Sequence, residues 1–311
     1  MKAWSTCVLF SVVGLAACSG KTGSSSAADV DSGTPGAYQA SIGPIDLPAG
    51  TETTQCIVMP LGNTEDVVVN SLDVNLSLGS HHLIVYMTND EVQSDPVNCT
   101  PFAGIAMGTD EPLVLANKQH ATWTFPSGVA QLVPANQNVK VEGHYINTGA
   151  TDLQGTGTVT FNTTPAATSP AYQPASFVFY GTEKISIPPN STFETPQLFQ
   201  VGVAGTHFIS VTTHQHRLGT DAQVWASTQP GDMSTPIAND LDWSNPSWNL
   251  IAPQFDFDGT SGLTFQCSWT NTTDETVGFG ELAEDEMCFV GGYYYPATKL
   301  DLCIDGHCQN R

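Results

Sequence analysis

Histidines occur in three short segments of this sequence, and imidazole is the commonest metal ligand among side chains. The segments contain His81 with His82, His144, and His214 with His216. Residues two apart on a strand project from one face, so His214 and His216 place two imidazoles about 7 Å apart, close enough to converge on one metal. Neighbouring strand residues point to opposite faces, so His81 and His82 can share a metal only at a backbone irregularity such as a bulge.

A methionine lies in an acidic stretch that ends in a cysteine, Asp285-Glu286-Met287-Cys288. An ordinary core methionine explains it equally well. Thioether sulfur is soft and suits Cu(I), whereas imidazole suits copper in both redox states and also zinc. Glu142 shares a strand face with His144 and is a candidate acceptor for the second ring nitrogen of that histidine.

The elements that must position these residues read as short strands. β-branched and aromatic runs alternate with Gly, Pro, Asn and Thr, and predict strands over 66–78, 82–87, 139–146, 157–161, 176–180, 206–216, 223–226 and 263–270. This spacing favours an all-β fold of antiparallel sandwiches or jelly rolls. Segment 162–174 is rich in Pro and small residues and is the best internal boundary.

The charge is strongly unbalanced: 8 Lys+Arg against 30 Asp+Glu give a formal net charge of −22 over 311 residues. Nucleic-acid binding depends on clustered cations that displace counterions, so a nucleic-acid partner is excluded. A basic amphipathic membrane helix is excluded for the same reason. A neutral or cationic small-molecule substrate is favoured over an anionic one.

The N-terminus predicts export. An apolar run too short to span a bilayer ends in Leu15-Ala16-Ala17-Cys18, which resembles the bacterial lipobox, in which the cysteine is lipidated. The alternative is an ordinary cleaved signal peptide. Ser19 after that cysteine favours the outer membrane, so we expect a lipid-anchored protein of the bacterial cell envelope, facing the periplasm or the surface. Residues 18–37 are Ser/Gly-rich and predict a flexible tether.

Six cysteines remain beyond Cys7 and Cys18, namely Cys56, Cys99, Cys267, Cys288, Cys303 and Cys308. An even number in an exported chain predicts disulfides, which six cysteines can form in fifteen ways.

Together these motifs resemble the copper type II, ascorbate-dependent monooxygenases. In that family an HH pair and a later HY histidine hold one copper, and an HxH pair with the Met of a DEMC motif holds a second. Here they stand in the same order as His81-His82, His144-Tyr145, His214-Gln-His216 and Asp285-Glu-Met287-Cys288.

The resemblance implies two tandem jelly-roll-like β-sandwich domains, with one copper each, facing across a solvent-filled cleft. The boundaries are then 1–17 for the signal peptide, 18–37 for the tether, 38–165 and 170–303 for the sandwiches, and 304–311 for a tail. It also implies the disulfides Cys56–Cys99 and Cys267–Cys288, which leave Cys303 to pair with Cys308.

The implied reaction is hydroxylation of a C–H bond of a small organic substrate by O2, with ascorbate or a similar one-electron donor. The His81/His82/His144 copper transfers electrons, and the His214/His216/Met287 copper binds oxygen and is catalytic. In the peptide-processing member an Arg and a Tyr grip the substrate carboxylate, but Thr212 and Gly291 occupy those positions here. The alternative function is a non-catalytic copper-binding lipoprotein that buffers or delivers copper.

Overall fold

A computed structural model describes residues 36–106, 109–169 and 171–309. The predicted signal peptide, Cys18 with nearly all of the predicted tether, and the last two residues lie outside these ranges. No helix in the described part of the chain has the length and apolar character needed to cross a bilayer. The described residues form a β protein with one short helix, as the alternating sequence pattern predicts.

The strands up to residue 174 form two sheets. In chain order the elements are β1 (Gly36–Leu47), β2 (Glu52–Pro60), β3 (Val67–Leu76), β4 (Ser80–Thr88), β5 (Val97–Asn98), α1 (Ala103–Ala106), β6 (Glu111–Ala116), β7 (His120–Thr124), β8 (Val129–Val133), β9 (Asn138–Ile146), β10 (Leu153–Pro165) and β11 (Gln173–Pro174). One sheet has the order β1-β10-β3-β8-β11, with β7 also paired to β3, and the other has the order β5-β2-β9-β4-β6.

The strands from residue 176 onward form three further sheets. They are β12 (Ser176–Thr182), β13 (Ser186–Ile187), β14 (Ser191–Glu194), β15 (Leu198–Val201), β16 (Thr206–His214), β17 (Gly219–Ser227), β18 (Pro236–Asp240), β19 (Trp248–Phe257), β20 (Gly262–Asn271), β21 (Val277–Gly278), β22 (Cys288–Tyr295), β23 (Asp301–Ile304) and β24 (His307–Gln309). The sheet orders are β19-β16-β22-β12-β23-β24, β14-β20-β17-β18 with β15 beside β20, and the small pair β13-β21.

Burial along the strands follows their places in the sandwich. In β10 buried residues alternate with more exposed ones, because one face of the strand packs on the core and the other meets solvent. By contrast β12, which lies between β22 and β23, is buried along its whole length. The sheets divide between residues 174 and 176, although all described residues belong to one compact unit.

Aromatic side chains pack across this division. The rings of Trp123 and Trp248 stack with centroids 5.7 Å apart, and Phe125 lies edge-on to Tyr293 at 4.8 Å. The Tyr293 hydroxyl donates a hydrogen bond to the carbonyl oxygen of Leu113 at 2.8 Å. The resemblance implies a solvent-filled cleft between the sandwiches, whereas the structure packs a shared hydrophobic core there.

Three disulfides join the cysteine pairs that the resemblance implies: Cys56–Cys99, Cys267–Cys288 and Cys303–Cys308. Their sequence separations are 43, 21 and 5 residues. Cys288 directly follows Met287, so the second disulfide fixes the start of β22 next to the predicted metal ligand. The third closes the terminal hairpin of β23 and β24.

We expect removal of Cys56–Cys99 by a double Cys→Ser substitution to cost more stability than removal of Cys303–Cys308. Loop closure restricts the unfolded chain more for separations of 43 than of 5 residues, by about 2 kcal/mol. Urea unfolding of the two double variants measures the difference. Equal losses would contradict this assignment of stability to loop length.

Candidate metal centre

The first two predicted ligands lie at a bulge in β4. Ser80 pairs with Tyr145 and His82 pairs with His144, so His81 is the extra residue between two regular pairs. A bulge re-aims the side chain that it inserts. Both imidazoles consequently lie near each other, with ring centroids 5.4 Å apart, and the irregularity that the sequence requires for a shared metal is present.

The third predicted ligand, His144, lies on β9 directly opposite His82, and the two ring centroids are 5.0 Å apart. The residue before it is Gly143, where an added Cβ would lie 2.6 Å from the Tyr145 hydroxyl, so no larger residue fits. The ligand atoms of His81, His82 and His144 lie within 4.8 Å of one another, and all three side chains are buried.

His214 and His216 converge by a different route from the predicted one. The sequence predicts a strand that continues to His216, but β16 ends at His214, and His216 lies in the following turn. The reason is that this turn is anchored by Glu286, whose carboxylate accepts hydrogen bonds from the backbone N–H of His216 (3.0 Å) and of Leu218 (2.7 Å). The two rings lie 5.2 Å apart.

The two predicted ligand groups meet in a single cluster of five histidines. The ring centroids of His81 and His214 are 4.8 Å apart, and those of His81 and His216 are 5.3 Å apart. The ligand atoms of His81, His214 and His216 also lie within 4.8 Å of one another. The five side chains are buried, with exposures of 6% or less. The expectation of two histidine groups separated by a cleft is therefore wrong for this structure.

Every histidine of the cluster keeps one buried ring nitrogen that has no hydrogen-bond partner among the described residues. These atoms are His81 Nε2, His82 Nδ1, His144 Nδ1, His214 Nε2 and His216 Nε2. A buried polar atom without a partner carries a desolvation cost, which coordination to a metal removes. The donor set of imidazole nitrogens fits copper.

The opposite ring nitrogens of three histidines are held by oxygen atoms. His82 Nε2 lies 3.3 Å from a Glu142 carboxylate oxygen and His144 Nε2 lies 2.7 Å from Glu52. His216 Nδ1 lies 3.1 Å from the backbone carbonyl oxygen of Asp285. An N–H donated to such an acceptor leaves the other nitrogen with its lone pair, as in metal-bound histidines.

Electrostatics also favour the neutral ring. Burial, assisted by the neighbouring imidazoles, lowers the pKa of His81, His82 and His214 well below its usual value. Burial and the nearby His144 lower the pKa of His216 to about 4. These four rings are therefore uncharged at neutral pH, which is the form that coordinates a metal.

The glutamates that contact the histidines differ from the predicted ones. Glu142 was expected to accept from His144, but it contacts His82 and also accepts from the Tyr86 hydroxyl (3.1 Å) and the Phe102 N–H (2.9 Å). Burial raises its pKa to about 7. The acceptor for His144 is Glu52, which sequence reasoning missed because only the pairing of β2 with β9 brings it there.

Glu52 also joins the two halves of the chain. Its carboxylate accepts a hydrogen bond from the N–H of Ala283 at 2.9 Å, 231 residues away. Ala283 lies in the loop that leads to Asp285-Glu286-Met287. One carboxylate thus positions an imidazole of the first half and the backbone next to the DEMC motif.

Met287 is buried and lines a cavity of about 330 Å³. The wall of this cavity includes Phe102, whose ring lies 4.6 Å from the His82 ring and 5.3 Å from the His214 ring. The structure therefore places Met287 and the histidine cluster against the same aromatic side chain. The role of its sulfur as a copper ligand remains a prediction.

Glu286 is completely buried and accepts a third hydrogen bond, from Trp269 Nε1 at 2.7 Å. We expect Glu286→Ala to destabilise the protein by about 2–4 kcal/mol, because it leaves buried N–H donors without an acceptor. Urea unfolding measures the loss, with the exposed neighbour substituted in Glu284→Ala as the matched control. Equal stability of the two variants would contradict the anchoring role of Glu286.

Comparison with known proteins gives one family match for part of the chain. Residues 176–310 match the family described as copper type II ascorbate-dependent monooxygenase, C-terminal domain. Comparison with curated proteins gives no match.

Among solved structures, "Crystal Structure of the STIV MCP" shares 10% identity and a TM-score of 0.35, over 85% of this chain and 98% of that one. A putative secreted protein from Eubacterium rectale shares 12% identity and a TM-score of 0.26, over 78% of this chain and 70% of that one. Neither likeness is strong enough to support a conclusion.

The segment that matches the family, residues 176–310, includes His214, His216, Met287 and the Cys267–Cys288 disulfide. Residues 176–310 are therefore similar to the C-terminal domain of the copper type II ascorbate-dependent monooxygenases.

Proposed function

We propose that this protein is a copper-dependent monooxygenase that hydroxylates a C–H bond of a small organic substrate. The overall change is R–H plus O2, two electrons and two protons to R–OH plus water, with the electrons from ascorbate or a similar donor. The observation that carries the proposal is the cluster of five buried histidines, each with a nitrogen that has no partner among the described residues, in a chain whose residues 176–310 match the C-terminal domain of this family.

The proposed ligands are those of the family pattern. His81, His82 and His144 would hold one copper, and His214, His216 and Met287 would hold a second. Copper at these positions would supply electron transfer and activation of O2. The protein supplies the imidazole nitrogens, and the acceptors Glu142, Glu52 and the Asp285 carbonyl orient three of the rings.

The cavity beside Met287 is the proposed substrate site. Its apolar wall is formed largely by phenylalanine, from Phe102, Phe179, Phe279 and Phe289. Two of the rings, Phe179 and Phe289, stack with centroids 4.8 Å apart. Such a wall binds an apolar or aromatic group through burial and ring contacts.

The charged groups of that cavity favour a neutral or cationic substrate. Glu183, Glu281 and Asp305 line it together with His307, and the Asp305 carboxylate lies 3.6 Å from the Lys184 ammonium group. An anionic substrate would therefore meet carboxylates next to the aromatic wall, which raises its energy there, whereas a cation is attracted.

The two positions that hold a carboxylate-gripping Arg and Tyr in the peptide-processing member do not serve that purpose here. The Thr212 side chain is buried and contacts Asn117. At Gly291 an added Cβ would lie 2.7 Å from the Phe177 ring, so this close approach leaves no room for a larger residue. Both features support a substrate other than a peptide C-terminus.

The burial of all five histidines favours a second candidate, a non-catalytic copper-binding protein that buffers or delivers copper. A store holds its metal away from solvent, and each of these imidazoles is at most 6% exposed. The two functions differ in the role of Met287, because storage depends mainly on imidazoles, whereas oxygen chemistry depends on the complete second site.

We also propose that the protein is exported and anchored through Cys18 in the cell envelope, with an outer-membrane location. The support is the sequence of the N-terminal segment together with the three disulfides, which persist in oxidising compartments outside the cytosol.

We expect the purified chain to bind two coppers and to consume O2 in the presence of ascorbate and a neutral or cationic aromatic substrate. Met287→Ile should lower O2 consumption about a hundredfold or more, since even removal of an outer partner costs up to that much. An oxygen electrode measures uptake, and Met233→Ile, at a methionine outside the cavity, is the matched control.

Two outcomes would count against monooxygenase activity. Binding of two coppers without O2 consumption for any substrate in a panel of amines, neutral aromatics and carboxylates would favour buffering. Equal uptake by Met287→Ile and the wild type would remove the methionine from the active centre.

A further inference from the structure

His81 occupies the centre of the histidine cluster. Its ring centroid lies between 4.8 and 5.4 Å from those of the other four histidines. The nearest of them is His214, which belongs to the other half of the chain. By comparison the rings of His144 and His216, which also face each other across the halves, lie 6.5 Å apart.

The two compact sets of ligand atoms both include His81. One consists of His81, His82 and His144, and the other of His81, His214 and His216. The buried nitrogen without a partner is Nε2 in His81, and a neutral imidazole nitrogen has one lone pair to give. A metal that takes this nitrogen in one set therefore deprives the other set of its third histidine.

His81 lacks the oxygen acceptor that orients three of the four histidines around it. Oxygen acceptors hold the rings of His82, His144 and His216, as described above. The His81 ring instead packs against Trp243, with centroids 5.6 Å apart, and its backbone is the extra residue of the bulge. No hydrogen bond therefore commits the His81 ring to one of the two sets.

We propose that His81 is a shared ligand, for which the two metal positions compete when the halves are closed as they are here. His81 would supply the third nitrogen for copper held by His214 and His216, and His82 and His144 would then be the two histidines left for the other position. The two copper positions are consequently coupled, and the second copper binds more weakly than the first. This inference rests on the proposed binding of copper.

The test isolates the C-terminal position in the full-length chain. The double variant His82→Ala/His144→Ala leaves His81, His214, His216 and Met287 as ligands. We expect His81→Ala in this background to weaken Cu(I) binding about tenfold or more, measured by competition with a chromophoric chelator. X-ray absorption of the bound Cu(I) should show one nitrogen ligand fewer. His207→Ala is the control, since His207 pairs with Asp256 outside the cluster.

Unchanged affinity and an unchanged number of nitrogen ligands after His81→Ala would overturn the proposal and assign His81 to the first position alone. If the double variant does not fold, titration of the single variants with copper answers the same question. We expect His81→Ala to weaken both copper-binding steps, and a loss confined to one step would overturn the shared role. A wild-type chain that binds no copper would instead contradict the proposed function itself.

Discussion

Five imidazole rings lie together in one buried region, and each has a nitrogen without a hydrogen-bond partner among the described residues. Removing that many polar atoms from water costs free energy, at roughly 1–3 kcal/mol for each unpaired atom. The packed core around the cluster and the aromatic contacts between the two halves stabilise the fold and offset this cost. Metal binding would remove this cost, so the least favourable feature of the protein fold is also the one that prepares it for a ligand.

Three glutamates turn this cluster into a defined site. Glu142 holds His82 from within the first half, and Glu286 fixes the turn that carries His216 from within the second. Glu52 belongs to both, since it contacts His144 and the backbone of Ala283. In a chain with 30 acidic residues, Glu142 and Glu286 are buried beside the histidines and Glu52 is partly buried there.

The sequence was enough to predict which residues are candidate ligands, but it predicted little of how their side chains are arranged in space. The need for a bulge at His81-His82 follows from strand geometry alone, and the structure has that bulge. The end of β16 before His216 could not be foreseen, because the residue that anchors the turn, Glu286, lies 70 positions further along the chain. Glu52 was hidden for the same reason, since its contacts depend on a strand pairing and on the docking of the two halves.

The approach of the two halves is the least predictable feature and the one with the largest consequence. Family resemblance implies two separate coppers across solvent, whereas here His81 and His214 are in contact. The difference arises from pairs such as Trp123 with Trp248, which no local sequence pattern reveals.

The most direct test of this account is a crystal structure of the copper-loaded protein with anomalous diffraction at the copper edge. The account predicts copper peaks inside the five-histidine cluster, with His81 and His214 still adjacent. Copper bound elsewhere, or two peaks separated by an open cleft with these two rings apart, would contradict it.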